Sequence, residues 1–462
     1  MKNFVHKRRT TPRSASKAFT VVEILVVVVI IVILASLVLA AYGVVTRNAT
    51  DAAMRADLQT ARNDIAILRA GSKNYPSVAS AANDGQGLKA SGTNSIIYGG
   101  YQGLFCVSVS NPSSTTKYQI FGGDGDLEAG NCGGVVTTIA GNPVYSTITD
   151  GTGSAASFDW PAAIARDSSN NLYVADCGSS VRRVTPAGVV TTVAGDKNTY
   201  AYAEGTTTTA RFQCVRGIAL TSDASTIYAS DNSTASRLRR IAGGNVTTLA
   251  GGATRGPADG TGAAAQFSNL RGLALDGSGN IYAADEGTND RIRRITPAGV
   301  VTTFAGSMAG GGYAEGTGTA AQFNNPIGVV FDSSGNLYVA DSGNRRIRQI
   351  TPAGVVSTFA GSGTNGNNDG VGTAASFRYP SALAIDSSNN LYVADALDYR
   401  IRKITPSKVV TTLAGVGIYG YSDSVGLTSL FGWNDGGLVV DSNNQYLYVV
   451  DSDYYVIRRI QL

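Results

Sequence analysis

NLYVADSGNRRIRQITPAG, residues 336–354, decides the reading of most of this chain, because the pattern it carries returns six times. Two short apolar runs, NLYVAD and RRIRQI, are separated by SGN and closed by TPAG, which is turn chemistry between strands. IGVVFD precedes the stretch and VVSTFAG follows it, so one unit offers four short β runs. The VVSTFAG box at 355 also stands as VVTTIAG at 135–141, VVTTVAG at 189, NVTTLAG at 245, VVTTFAG at 300 and VVTTLAG at 409. The second box ends each time in an aspartate: Asp176, Asp231, Asp285, Asp341, Asp395 and Asp451. Both boxes step by 54–56 residues, and fixed-period self-similarity marks a repeat architecture.

Four strands per unit, six units in all, predict a six-bladed β-propeller over 135–462. The array opens on a lone VTT-type strand, 135–141, and ends at RRIQL without one. The first strand is therefore expected to complete the last blade and remove the open sheet edges. Composition agrees. Gly is 56 of 462 residues and charged residues are only 15%, against a usual ~25%. The single His, His6, lies in the basic stub MKNFVHKRRTTPRSASKA. Imidazole triads and His-ligated metal inside a folded domain are thereby excluded. That stub, 1–18, holds six of the 37 Lys and Arg and no acid, so the rest of the chain is slightly acidic and no nucleic-acid partner is indicated.

After the stub, Ile24 to Val45 carries no charge. As a helix it would span ~33 Å, enough for a bilayer. Glu23 interrupts the apolar run near its start, and a carboxylate at membrane depth is costly and usually functional. A secretory signal cut near Val38-Leu39-Ala40, or a plain membrane anchor, would leave Glu23 unexplained. The apolar spacing of Leu58, Ala61, Ile65 and Leu68 predicts that one helix runs from Phe19 to Ala70. Residues 95–101, 104–110 and 116–122 read as strands of a small α+β head. The expected fold class is thus a long N-terminal α-helix with a small head, followed by an all-β propeller. Its expected divisions are a leader at 1–18, a membrane or filament segment at 19–45, an amphipathic helix with the head at 46–134, and the propeller.

Cys106 and Cys132 would close a loop within the head, and Asp124, Asp126 and Glu128 alternate there as weak calcium candidates without an EF-hand pattern. Cys177 and Cys214 break the propeller repeat and should face the same side of neighbouring blades, so they are read as a disulfide. The six aspartates repeat and are read as scaffold, accepting backbone N–H bonds from the loop that follows each. The acid-Gly loops at Asp150, Glu204, Asp259, Glu315, Asp369 and Asp423, and the Phe at 158, 212, 267, 323, 377 and 431, repeat likewise and are read as turns and interblade wedges. Positions that break the pattern are better site candidates. Two and four residues past each Phe, at the mouth of the channel, stand Trp160, Arg216, Arg271, Tyr379, Trp433 and Asp435. The loops after the box-end aspartates add Glu286, Asp290, Arg345, Asp398, Tyr399, Tyr454 and Tyr455. Aromatic and Arg side chains so grouped are what binding surfaces use.

Two resemblances extend this reading. Lys17-Ala18-Phe19-Thr20-Val21-Val22-Glu23 resembles the type IV pilin signature, with Ala18 where Gly is usual. The resemblance implies cleavage after Ala18 by a prepilin peptidase, an N-methylated Phe19, and pairing of Glu23 with the terminal amine of another pilin subunit. The array over 135–462 resembles NHL repeats of the bacterial and teneurin type. Together they imply a non-enzymatic pilin-like subunit, minor or tip-located. It would pass through the cytoplasmic membrane to a surface fibre, and its propeller would bind an extracellular protein or glycan without a cofactor. The alternatives are a surface-tethered gluconolactonase-type hydrolase, for which Glu286 and Asn269 are the nearest calcium ligands, and a pseudopilin of a secretion or DNA-uptake machine.

Overall fold

The computed structural model describes residues 134–462 apart from a few loop positions (145–147, 197, 198, 289, 309, 425 and 433–435), the backbone of four strands between 95 and 129, and a short stretch between 53 and 61. Six β-sheets arranged around an axis form a six-bladed propeller. In blade 1 the strands run outward from the axis as Pro161–Arg166, Leu172–Asp176, Ser180–Val184 and Val189–Gly195, each antiparallel to the one before. A two-residue strand, Gly151–Thr152, is added at the rim. Blades 2 to 5 repeat this order. The second strand of blades 1, 3, 4 and 5 is buried at every residue, because both of its faces pack against neighbouring blades.

Blade 6 is built from the two ends of the propeller. Leu438–Val440, Tyr446–Asp451 and Val456–Gln461 are followed at the outer edge by Val136–Gly141. Ile457 pairs with Ala140 and Ile460 with Val136, and the Gln461 N–H donates to the Val135 carbonyl at 3.0 Å. Distant chain segments thus share one sheet, and the ring has no open seam.

The apolar core is divided into six clusters, each shared by two adjacent blades. Phe323, for example, packs with Tyr282 and Ala284 of blade 3 and with Leu337 and Val339 of blade 4. All six repeated Phe are fully buried. Along the axis the inner strands approach closely. A Cβ on Gly272 or Gly328 would come within 2.5 Å of a carbonyl oxygen of the next blade, so only glycine fits there.

Each blade also carries a buried cross-brace. In blade 3, Asp285 accepts the N–H groups of Ser268 at 2.7 Å and Asn269 at 3.0 Å on one oxygen. Its other oxygen takes Arg293 at 2.9 Å. The far side of the Arg293 guanidinium reaches Asp259 at 2.7 Å and the Ala258 carbonyl at 3.0 Å, and the group lies 5.2 Å over Phe267. Arg182, Arg239, Arg348, Arg402 and Arg458 occupy the same place in the other blades, all with no exposure. The aspartates do not take the backbone N–H groups of the loop that follows them, as the sequence reading expected, although Asp341 accepts the Asn344 side-chain amide at 2.9 Å. They hold the loop 16–19 residues earlier. Antiparallel reversal brings the end of the second strand beside the start of the first, so the partner lies upstream.

The expected fold class is corrected on one point. The described residues are all-β apart from isolated 3₁₀ turns and the helical stretch between 53 and 61, where the Thr60 hydroxyl donates to the Ala56 carbonyl at 3.0 Å. They contain no long N-terminal α-helix and no α+β head. The strands expected near 95–122 are present as Ser95–Tyr101, Leu104–Ser110 and Lys117–Gly122, joined by Glu128–Ala129. They pair consecutively as an antiparallel meander. Short connections of the kind antiparallel strands allow pair each strand with the next. Most of the predicted helix 19–70, with Ala18, Phe19 and Glu23, lies outside the described residues. So do Cys132, Asp124, Asp126 and the side chains of Cys106 and Glu128. Among the described residues no helix is long and apolar enough to cross a membrane.

Candidate functional site

The six inner strands line a central channel. At the end where they begin, Trp160, Arg216 and Arg271 surround a cavity of about 80 Å³ whose walls are Ile164, Leu273, Val329, Leu383 and their neighbours. Its walls are apolar and a few polar groups converge on it, the make-up of a binding site. The opposite end opens as a wider space of about 550 Å³, rimmed by Arg166, Asp167 and Ser168.

In five blades the position four residues past the Phe faces this mouth, for a reason the sequence did not disclose. The inner strand carries a register shift there in five blades: between Pro161 and Ala163, Val215 and Gly217, Leu270 and Leu273, Pro326 and Val329, and Pro380 and Leu383. A β-bulge adds a residue and re-aims its side chain. Ala162, Arg216, Arg271, Ile327 and Ser381 all sit at these shifts.

Left-handed backbone recurs on the same rim, as it does in the turns at the other end of the blades. Trp160 (φ 59°), Asn325 (49°), Arg345 (54°), Tyr399 (54°) and Tyr455 (55°) all adopt the left-handed region. Glycine or asparagine would sit there at least cost, and bulky residues are costly in that region. Trp160 is 49% exposed although large and apolar. Its ring meets Tyr455 edge-on at 6.4 Å, while its carbonyl accepts the Cys177 N–H at 3.2 Å.

Cys177 and Cys214 form a disulfide, which ties the loop that holds Trp160 to the loop that leads into Arg216. On the blade 3 side, Glu286 accepts the Asn269 amide at 2.5 Å and pairs with Arg271 at 3.4 Å. Asp290 accepts the N–H groups of Gly287 at 3.0 Å and Asn325 at 3.1 Å, and burial pushes its carboxyl up. On the blade 5 side, Asp398 is held between Arg400 at 2.5 Å and Arg378 at 3.3 Å. Tyr379 is half-buried at the start of its inner strand, its N–H on Asp395 at 2.6 Å. Trp433 and Asp435 lie outside the described residues.

The structure therefore brings Trp160, Arg216 and Arg271 to one cavity, sets Glu286 behind Arg271, and places Tyr379 and Tyr399 on the blade 5 arc of the rim. The sequence reading passed over two exposed rings, Tyr200 (61%) and Tyr419 (52%), in the connections that lead into blades 2 and 6. The Tyr200 hydroxyl donates to Asp159 at 2.5 Å, and that bond, with burial, pushes its phenol up to about 12. Tyr419 packs against Tyr399 at 5.6 Å and Tyr454 at 5.7 Å. These positions fall between repeat boxes, so an alignment of the boxes alone does not register them.

Residues 323–350 match the family model described as NHL repeat. NHL repeat-containing protein 2 of Homo sapiens is 30% identical over 221 residues, which cover 44% of this chain and 30% of that protein. Teneurin-1 of Mus musculus is 27% identical over 237 residues, 44% of this chain and 8% of that protein. The alignments thus span less than a third of the length of these curated relatives. A solved structure of a protein of unknown function from Bacteroides thetaiotaomicron superposes with a TM-score of 0.56 at 19% identity, covering 80% of this chain and 87% of that one. At that identity the likeness is one of fold.

Proposed function

We propose that this NHL-repeat propeller is a ligand-binding module that takes an extracellular protein or glycan at the channel mouth, without catalysis. The observation that carries the proposal is Trp160, a half-exposed indole held at a strained backbone angle over a preformed cavity. Strain is retained where the side chain is needed. A rim of aromatic and guanidinium groups over an apolar cavity suits recognition. Two of the rim carboxylates, Glu286 and Asp398, are already engaged by arginine, which favours binding over hydrolysis. The disulfide between Cys177 and Cys214 fits an oxidising exterior.

The route to that exterior is the prepilin-like sequence Lys17–Glu23. In this reading a prepilin peptidase cuts after Ala18, Phe19 becomes the first residue, and the apolar segment joins the chain to other pilin subunits in a fibre. Sequencing the N-terminus of surface-sheared material tests this half; a start at Phe19 supports it, and a retained leader or a start at Ala41 refutes it. For the binding half, the full-length protein is applied to arrays of glycans and immobilised extracellular proteins beside the double variant W160A/R216A. The proposal expects the signals of the wild type to vanish in the variant. Signals that persist undiminished would place binding elsewhere on the chain.

A further inference from the structure

The rim of the mouth is chemically divided. On the side of blades 3 and 4 it is polar, with Asn269, Glu286, Asp290, Asn325 and Arg345. On the other side an arc of aromatic rings runs through blades 2, 1, 6 and 5. Tyr200 reaches across to Asp159, beside Trp160. Trp160 meets Tyr455, whose chain neighbour Tyr454 lies 5.7 Å from Tyr419, and Tyr419 lies 5.6 Å from Tyr399. The rings are edge-on or tilted to one another, with interplanar angles of 66°, 35° and 74°, so their faces are not used up by mutual stacking.

Three of these six rings belong to no repeat rule of scaffold. Tyr202, Tyr313 and Tyr421 do: each sits two residues before an acid, bonds a threonine of the outer strand, and lies under a brace arginine. Trp160, Tyr200 and Tyr419 have no such duty and are the most exposed of the arc, at 49%, 61% and 52%. Tyr399 and Tyr455 hold left-handed backbone that a glycine would hold more cheaply.

We infer that this arc is a track for an extended, neutral saccharide chain, which lies across blades 2, 1, 6 and 5 with one end at the Trp160 cavity. The inference rests on the binding reading above and specifies its ligand class. Sugar rings present polarised C–H groups on one face and hydroxyls at their edges. An aromatic face attracts the first through its quadrupole, and phenol hydroxyls bond the second. Three ring pairs along the arc, set 5.6–6.4 Å apart, offer repeated platforms to a repeating ligand. Charge disfavours a polyanion such as single-stranded nucleic acid, which requires a basic groove beside its stacking rings. Here Asp159 and Asp453 flank the arc, and the Arg378 and Arg400 guanidinium groups are paired with Asp398.

The test is calorimetric titration of the full-length protein with cellohexaose, xylohexaose and maltohexaose and with the matching disaccharides. The expected result is that at least one hexaose binds at least tenfold more tightly than its disaccharide. That advantage should fall at least tenfold in Y419A, which is remote from the cavity, and be kept in S278A on the opposite face. Absence of binding by all three hexaoses, equal affinity of hexaose and disaccharide, or an unchanged Y419A would overturn the track. A protein ligand from the arrays that depends on Trp160 while all hexaoses fail would sink the track and leave the mouth as a binding site.

Discussion

Replacing Arg293 with methionine isolates the brace that holds a blade. Methionine keeps much of the side-chain length and removes the guanidinium. Four hydrogen bonds disappear: those to Asp285 at 2.9 Å, Asp259 at 2.7 Å, and the carbonyls of Gln266 at 2.9 Å and Ala258 at 3.0 Å. Asp285, with no exposure, loses the cation it is paired with. Removing one partner of a buried pair costs about 3–5 kcal/mol, chiefly because the other charge is left buried. For a propeller of roughly 330 residues the unfolding entropy is about 0.7 kcal/mol per kelvin, so the melting midpoint should fall by about 4–7 °C. The neighbouring Arg294 is exposed on the same strand. R294M should cost less than about 0.5 kcal/mol. Differential scanning calorimetry of the two variants makes the comparison at constant strand propensity. In addition, D285N should cost less in the R293M background than alone, since the two groups are coupled. Equal losses in R293M and R294M, or strict additivity with D285N, would refute the reasoning.

Phe323→Ala should destabilise the chain by about 3–5 kcal/mol, because the ring is fully buried between blades 3 and 4; a chemical-denaturation shift below about 1 kcal/mol would contradict the wedge role. Reducing the disulfide between Cys177 and Cys214, 37 residues apart, should cost about 4 kcal/mol and lower the melting midpoint, with C177S/C214S matching the reduced protein; an unchanged midpoint would contradict the staple. Stability should peak at mildly acidic pH. Burial pushes Asp176 up to about 7 and Asp341, Asp395 and Asp451 up to about 6, whereas an unfolded aspartate titrates near ~3.9. Within that window the folded chain holds more protons, so stability rises as pH falls toward about 4. Backbone N–H bonds from Thr248 and Thr358 hold Glu204 and Glu315 low, and their contribution is lost as pH falls further. Calorimetric midpoints that climb steadily from pH 5 to pH 8 would contradict this.

Much of the propeller is legible because its determinants are local and repeated. The VTT box, the aspartate box and the interposed Phe mark strands and wedges wherever they recur, and turn residues mark the boundaries. The brace was half visible. Asp285 could be seen to repeat, but its partner Arg293 hides in an RRIRQI-like run where several basic residues alternate faces. Only the register of the sheet shows which arginine points inward. The candidate site was legible where it breaks a rule, as at Trp160, Arg216 and Arg271. It was illegible where geometry alone creates it: the bulges that turn Arg216 and Arg271 toward the cavity leave no mark in composition, and Tyr200 and Tyr419 lie in connections of variable length. The helix and α+β head failed as a fold class for the described chain, in which helix is confined to the stretch between 53 and 61 and the 95–129 segment is a meander of four strands.

Trp160 and Trp433 are the chain's two tryptophans, so W433F leaves an indole at the mouth as the only one. Titrating that variant with the strongest binder from the arrays, and following indole emission, tests the proposed site most directly. The account predicts a saturable change in emission with the same midpoint as binding measured by calorimetry. Full binding with emission that does not change would contradict it.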